Sequence, residues 1–133
     1  DPGVLTKGDL ISAFPFPNTL VMTKITGAQI EGLFDHAAGM TNGVLQVSKS
    51  FKYVINSNGD IEELRLNGKP INKEKTYWVA STNFVTLGGD GYWEFTESIE
   101  YEDTNIFIVD VVEDYLKDKP RYSPVYEERI IIE

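Results

Sequence analysis

A glycine-rich segment carries the pattern with the clearest chemical potential: Ser81-Thr82-Asn83-Phe84-Val85-Thr86-Leu87-Gly88-Gly89-Asp90-Gly91-Tyr92. Its three glycines allow positive φ and let a ligand approach the backbone closely. Asp90, between two of them, can present its carboxylate to hydroxyl groups. The same pattern also fits a tight turn in which Asp90 bonds its own backbone, and taken alone it favours that simpler interpretation.

A second unusual segment is Phe14-Pro15-Phe16-Pro17-Asn18. Prolines on both sides of Phe16 restrict the backbone there, so an aromatic ring is held in place at low entropic cost. Aromatic residues beside prolines also serve as plugs of a hydrophobic core, and that alternative stands for this segment considered by itself. The occurrence of both segments in one chain favours a functional interpretation.

Residues suited to catalysis or metal binding are sparse. His36 is the only histidine, and helical spacing puts it beside the apolar positions Leu33 and Ala37, which favours a structural or surface role. The sequence has no cysteine, no phosphate-binding P-loop and no Gly-x-Ser-x-Gly nucleophile motif. The acidic run from Glu94 to Asp103 lacks the ligand spacing of a calcium loop and predicts a solvated loop. We therefore expect no catalytic residue and no metal ligand in this chain.

Local signals predict three helices that must position these segments. Capping pairs mark the first two starts, Thr6 with Asp9 and Thr26 with Gln29. The first helix should end near Phe14 and the second near Gly39. Apolar residues at helical spacing from Ile108 to Leu116 predict a third helix, ended by Pro120.

Five strands are predicted from β-branched and aromatic runs: Leu20–Ile25, Phe51–Ile55, Ile61–Leu66, Tyr77–Ser81 and Arg129–Ile132. Asn58-Gly59 favours a tight hairpin between the second and third, and Asn67-Gly68 marks another turn. The strand at Tyr77–Ser81 lacks polar alternation and is predicted to be buried. Because helices and strands mix without a βαβ rhythm, we predict one α+β domain over residues 1–133, with helices packed on β-sheets.

Composition limits the partners. The 133 residues include 41% hydrophobic and 25% charged residues, as expected of a globular domain. Twelve Lys and Arg oppose 21 Asp and Glu, and the net charge of −9 repels a nucleic-acid polymer but leaves a single nucleotide possible as a ligand. Apolar runs are too short to span a membrane, so we expect no membrane insertion by this chain.

Taken together, these segments resemble the 5′-nucleotidase C-terminal domain. The resemblance rests on Pro15 to Asn18, on Ile25-Thr26-Gly27-Ala28-Gln29-Ile30, and on Asn83 to Tyr92, which fits the pattern N-F-x-x-x-G-G-D-G-[YF]. It covers roughly Asp9 to Pro120. In that family the domain binds the nucleoside part of the substrate between two aromatic rings.

The resemblance implies a role for each matching residue. Phe16 and Phe84 are expected to sandwich the base, and Asp90 to accept hydrogen bonds from the ribose hydroxyls. Asn18 is expected to contact the base, while Asn83 and Gly88 shape the pocket. No catalytic residue carries over, so the chain alone should recognise a nucleotide without cleaving it.

The resemblance also implies a larger parent protein, from which this chain is a piece. An amino-terminal metallophosphatase domain would hold a pair of divalent ions of the Zn, Mn or Mg type and hydrolyse the phosphate ester, outside the cytoplasm of a bacterium or at its surface. The substrate could be a 5′-mononucleotide, a nucleotide sugar or a 2′,3′-cyclic nucleotide. A non-catalytic nucleoside-binding module and a structural module of a surface protein remain as alternatives.

Overall fold

The structure is a computed structural model that describes residues 3–40, 44–119 and 121–133. The helices are α1 (Lys7–Ala13), α2 (Gly27–Ala38), α3 (Asn83–Thr86) and α4 (Ile108–Lys117). The strands are β1 (Thr19–Thr26), β2 (Phe51–Ile55), β3 (Ile61–Leu66), β4 (Lys69–Pro70), β5 (Thr76–Thr82), β6 (Glu100–Phe107) and β7 (Ile130–Ile132). Two 3-10 turns, Gly89–Gly91 and Trp93–Glu97, follow α3. No helix in these ranges is long and apolar enough to cross a bilayer.

One sheet has three strands in the order β5-β1-β6, all antiparallel. Its central strand β1 alternates half-buried residues with Val21, Thr23 and Ile25, each 0% exposed. This period-2 burial is the pattern of a strand with one face in the core. The predicted strand at Leu20–Ile25 is confirmed, one residue longer at each end.

The second sheet has four strands in the order β4-β3-β2-β7. The Asn58-Gly59 hairpin between β2 and β3 is confirmed, with Gly59 at φ 86° and its amide donating to the Asn56 carbonyl oxygen at 2.9 Å. The last strand, β7, pairs in parallel with β2. Both strands of the hairpin begin and end at the residues predicted.

Helix α2 joins the two sheets through the core. Thr26 accepts a hydrogen bond from the Gln29 amide, and the Gln29 side chain accepts from the Thr26 amide, so the predicted capping box is formed. The buried core is formed by apolar residues of α2, β1, β2, the second 3-10 turn and the residue between the two 3-10 turns: Ile25, Ile30, Leu33, Phe34, Ala37, Tyr53, Ile55, Tyr92 and Phe95. The α+β class predicted from the sequence is confirmed.

Two local predictions are wrong. Strand β5 is an edge strand whose residues alternate between exposed and half-buried, rather than a buried strand. The acidic run Glu94–Asp103 is not a loop, because it includes most of the second 3-10 turn and the first half of β6. Helix α4 (Ile108–Lys117) confirms the helix predicted from Ile108 to Leu116, while its predicted terminator, Pro120, lies outside the described residues.

Candidate functional site

Both predicted binding segments lie at one end of the three-stranded sheet, where β1 starts and β5 stops. Strands β1 and β5 run antiparallel with Leu20 opposite Thr82, so the start of β1 and the end of β5 meet. The segment from Phe16 to Asn18 leads into β1 at this end, and Asn83 and Phe84 follow β5 there. Residues that are distant in the sequence are therefore neighbours because of strand pairing.

Asn83 joins the two segments directly. Its side-chain oxygen accepts hydrogen bonds from the Thr19 amide at 3.1 Å and from the Phe84 amide at 2.9 Å. On the other side, the Asn18 carbonyl oxygen accepts from the Ile108 amide at 2.9 Å, which fixes the backbone beside Phe16. Asn83 thus fixes the start of α3, where Phe84 lies, against the start of β1, three residues after Phe16. Its expected role in shaping a pocket stays a prediction.

The rings of Phe16 and Phe84 both lie outside the core. Phe16 is 73% exposed and Phe84 is 49% exposed, so neither serves as a core plug. The Phe84 ring lies against the backbone of Gly89, where a Cβ atom would come within 2.7 Å of two ring carbons. Exposed aromatic rings on a backbone fixed by hydrogen bonds can gain free energy by stacking on a planar ligand. That the two rings face each other across a slot remains a prediction.

The turn around Asp90 is built from left-handed backbone. Gly88 has φ 89°, Asp90 φ 55° and Gly91 φ 84°. At Gly88 a Cβ would lie 2.7 Å from carbons of the Trp93 ring, so glycine is required there both by conformation and by space. Aspartate adopts this conformation more readily than most non-glycine residues, and Asn67, Asn105 and Glu128 also have positive φ. Asp90 is exposed.

His36 holds this turn from the side of helix α2, a contact that sequence reasoning missed. Its Nε2 atom lies 2.7 Å from the Asp90 carbonyl oxygen, and its ring meets Tyr92 edge to face at 5.0 Å. A Cβ on Gly91 would come within 2.9 Å of the imidazole. The structural role predicted for His36 is therefore more specific than expected, since it supports the residue proposed to meet a ribose. No motif signals this contact, because the partners are 54 positions apart.

Tyr92, which follows the turn directly, is affected by the charge of Asp90. Burial raises the pKa of the Tyr92 hydroxyl, and the negative charge of Asp90 raises it further. Across residues 3–40, 44–119 and 121–133 there is no group of three or more His, Asp or Glu side chains placed to hold a metal ion. The arrangement offers stacking surfaces and a hydrogen-bond acceptor, which are the elements of recognition.

Comparison with known proteins identifies the family. The chain belongs to the family described as "5'-nucleotidase, C-terminal domain", whose family model matches residues 1–97. It is 34% identical over 143 residues to the trifunctional nucleotide phosphoesterase YfkN of Bacillus subtilis, a match that covers 98% of this chain and 10% of that protein. It is 29% identical over 127 residues to the UshA protein of Yersinia enterocolitica, covering 94% of this chain and 22% of UshA.

Solved structures agree with the fold. The 5′-nucleotidase precursor of Thermus thermophilus superposes with a TM-score of 0.88 at 26% identity, over 96% of this chain and 28% of that one. The NAD nucleotidase of Haemophilus influenzae shares the fold with a TM-score of 0.80 at 22% identity, over 98% of this chain and 27% of that one. The chain thus spans only a minor part of these relatives.

Proposed function

We propose that this chain is the nucleoside-recognising domain of a metal-dependent nucleotide phosphohydrolase. The observation that carries the proposal is the pairing of β1 with β5, which brings the segment before β1, with the exposed Phe16, close to the segment after β5, with the exposed Phe84 and Asp90. Family membership supports it, because the relatives include proteins named as nucleotidases and nucleotide phosphoesterases. Phe16, Asn18, Asn83, Phe84, Gly88 and Asp90 are the proposed substrate-binding residues.

Stacking supplies most of the affinity in this proposal. Phe16 and Phe84 stack on the two faces of a base. Each ring contributes about 1–3 kcal/mol of binding free energy, by analogy with proteins that stack single-stranded bases. The prolines beside Phe16 and the Asn83 hydrogen bonds fix the backbone before a ligand arrives. Preorganisation of this kind reduces the ordering cost of binding. Asn18, half-buried next to Phe16, is suited to a polar contact with the base edge.

Asp90 supplies selectivity for the sugar. A ribose presents two neighbouring hydroxyl groups, and one carboxylate can accept a charge-assisted hydrogen bond from each. The left-handed turn and the His36 contact point this residue away from the core. A deoxynucleoside would lose one or both of these bonds.

Hydrolysis is assigned to another part of the parent protein. A pair of divalent ions of the Zn, Mn or Mg type in an amino-terminal domain would activate water and stabilise the charge that develops on the phosphate. This chain would bind the nucleoside without cleaving any phosphate ester. The parent would act in the periplasm or at the cell surface of a bacterium, or as a secreted enzyme.

The test is the response of the parent enzyme to Asp90→Ala. We expect the KM to rise more for a ribonucleotide than for its 2′,3′-dideoxy analogue, because only the ribonucleotide has ribose hydroxyls that can hydrogen-bond to Asp90. Asp60→Ala, which removes another exposed turn carboxylate, is the matched control and should change neither KM. Equal losses for the two substrates would reduce Asp90 to a turn residue and contradict the proposal.

A binding module without a catalytic partner is the second candidate, and it predicts the same selectivity in direct binding. Titration of the chain with a nucleoside and its dideoxy analogue, followed by Trp or Tyr fluorescence, would detect it. Absence of any nucleoside binding by both chain and parent would favour a structural module instead.

A further inference from the structure

The free edge of strand β5 differs from the other sheet edges of the molecule. The seven residues from Thr76 to Thr82 include no charged residue, no proline and no glycine. Proteins usually protect an edge strand with charges, proline, a bulge or short length. The β5 edge has none of these devices, although its sequence favours strand pairing strongly.

The other three edges carry such protection. Strand β6 has Glu100, Glu102 and Asp103, and its pairing with β1 contains a register shift. Strand β4 consists of Lys69 and Pro70 only. Strand β7 has only three residues. The lack of protection is thus specific to β5.

Backbone groups of alternate β5 residues point towards this free edge. The Lys24 carbonyl oxygen accepts from the Ile99 amide at 2.8 Å, so Lys24 faces β6, and its neighbours Thr23 and Ile25 face β5. Their register partners are Val79 and Tyr77. It follows that the N–H and C=O groups of Trp78 and Ala80 point outwards. No described residue hydrogen-bonds them.

A cavity of about 410 Å³ runs along the same edge. Its lining includes every residue from Tyr77 to Ser81, so it follows the strand rather than one face of it. Its floor is apolar and comes from helix α2, with Ile30, Leu33 and Phe34, while the segment from Leu45 to Ser48 borders it as well. Trp78 is 52% exposed here, although Lys24 lies over its ring.

We propose that a further β-strand of the parent polypeptide, from outside residues 1–133, fills this cavity and pairs with β5. Its backbone hydrogen-bonds to the outward N–H and C=O groups of Trp78 and Ala80, and its alternate apolar side chains pack beside the Trp78 ring, which is 52% exposed. This is strand addition at an open edge, in which the backbone gives affinity and side-chain pockets give selectivity. The proposal does not depend on nucleoside recognition.

The same polypeptide is a better source of this strand than a second copy of the chain. The curated relatives extend well beyond the matched region, which is 22% of Yersinia UshA and 10% of YfkN. Polypeptide outside the matched region can therefore supply another strand. A tethered strand has a high effective concentration. Two copies of this chain would each bring a net charge of −9 and repel one another at long range.

Hydrogen exchange of the full-length parent, read at single residues by electron-transfer fragmentation, tests the proposal. The amides of Trp78 and Ala80 should exchange as slowly as those of Tyr77 and Val79, and at least about tenfold slower than amides of exposed turns. This protection should not change on dilution. Fast exchange at Trp78 and Ala80 beside slow exchange at Tyr77 and Val79 would overturn the proposal. Protection lost on dilution would overturn it in favour of a second copy.

Proline substitution in the parent gives an independent readout. Val79→Pro removes an amide that faces β1 and calibrates the loss of a paired hydrogen bond. Ala80→Pro should lower the melting temperature by a comparable amount if a strand covers the edge. Proline is tolerated where the lost amide faces solvent. A melting temperature for Ala80→Pro close to that of the unmodified parent would therefore contradict the proposed strand.

Discussion

Replacing Gly91 by alanine should destabilise the chain more than the same replacement at Gly59. Both glycines have left-handed backbone, with φ 84° at Gly91 and φ 86° at Gly59. A Cβ at Gly59 meets nothing within 4 Å, whereas one at Gly91 comes within 2.9 Å of two atoms of the His36 ring. The pair therefore separates backbone strain from steric overlap.

The expected magnitudes follow from these two terms. A left-handed alanine costs roughly 1–2 kcal/mol, and the reduced entropy of the unfolded chain offsets about 0.4–1 kcal/mol of this. Gly59→Ala should thus cost about 1 kcal/mol. Overpacking adds about 1–3 kcal/mol, so Gly91→Ala should cost about 2–4 kcal/mol in total. His36 can relieve the overlap only by breaking its bond to the Asp90 carbonyl oxygen.

Urea unfolding of the 133-residue chain measures the difference. With a slope of about 2 kcal/mol per molar urea, a difference of about 2 kcal/mol moves the midpoint by roughly 1 M. In a His36→Ala background the steric partner is gone, so Gly91→Ala should cost no more than Gly59→Ala. Equal costs at the two glycines, or an undiminished cost in the His36→Ala background, would refute the proposed contact between His36 and the turn.

Three further predictions concern the core, the helix surface and the proposed stacking site. Tyr53 donates a hydrogen bond to the Leu45 carbonyl oxygen at 2.7 Å, and burial raises its pKa to about 12 from 10.0. Stability linked to its neutral form is complete below pH 10 and lost as the pH rises to about 12, so Tyr53→Phe should remove this alkaline loss in pH-dependent unfolding. Hydrogen bonds from Lys7 and Lys117 lower the pKa of Glu113 below 4.5; Glu113→Gln should therefore reduce the loss of stability on acidification below that pH, and added salt should shrink the effect. In the parent, Phe16→Ala and Phe84→Ala should each weaken nucleoside binding, and the second removal should cost less than the first in a double-mutant titration, with the exposed Tyr126→Ala as a control that leaves binding unchanged.

Elements with local signals were predictable from the sequence. The capping box of Thr26 and Gln29 forms as expected, because its hydrogen bonds join residues three positions apart. Asn58-Gly59 likewise determines the hairpin between β2 and β3, since its backbone readily adopts positive φ. The two segments proposed to bind a ligand were also recognisable, because their glycines and prolines constrain the backbone by themselves.

Features that depend on distant partners were not predictable. Tyr77-Trp78-Val79 has the composition of a buried strand, and only the order of strands in the sheet makes it an edge. The acidic run ending at Asp103 becomes a strand because β1 pairs with it, leaving its charges at an edge that solvent reaches. The hydrogen bond from His36 to the Asp90 turn has the same origin, since packing of α2 alone brings them together.

The central position of β1 also constrains how the chain folds. Both partners of β1 come later in the sequence, with Thr82 opposite Leu20 and Phe107 opposite Thr19. Val21 and Ile25 are fully buried in the folded domain. During synthesis, their side chains stay exposed to solvent until β5 and then β6 leave the ribosome. Pairings so distant in sequence slow folding and expose apolar strands to aggregation in the meantime. A ribosome-bound chain that ends before Glu100 would therefore hold β1 with at most one of its two neighbours, and it should depend on chaperones more than the completed domain does.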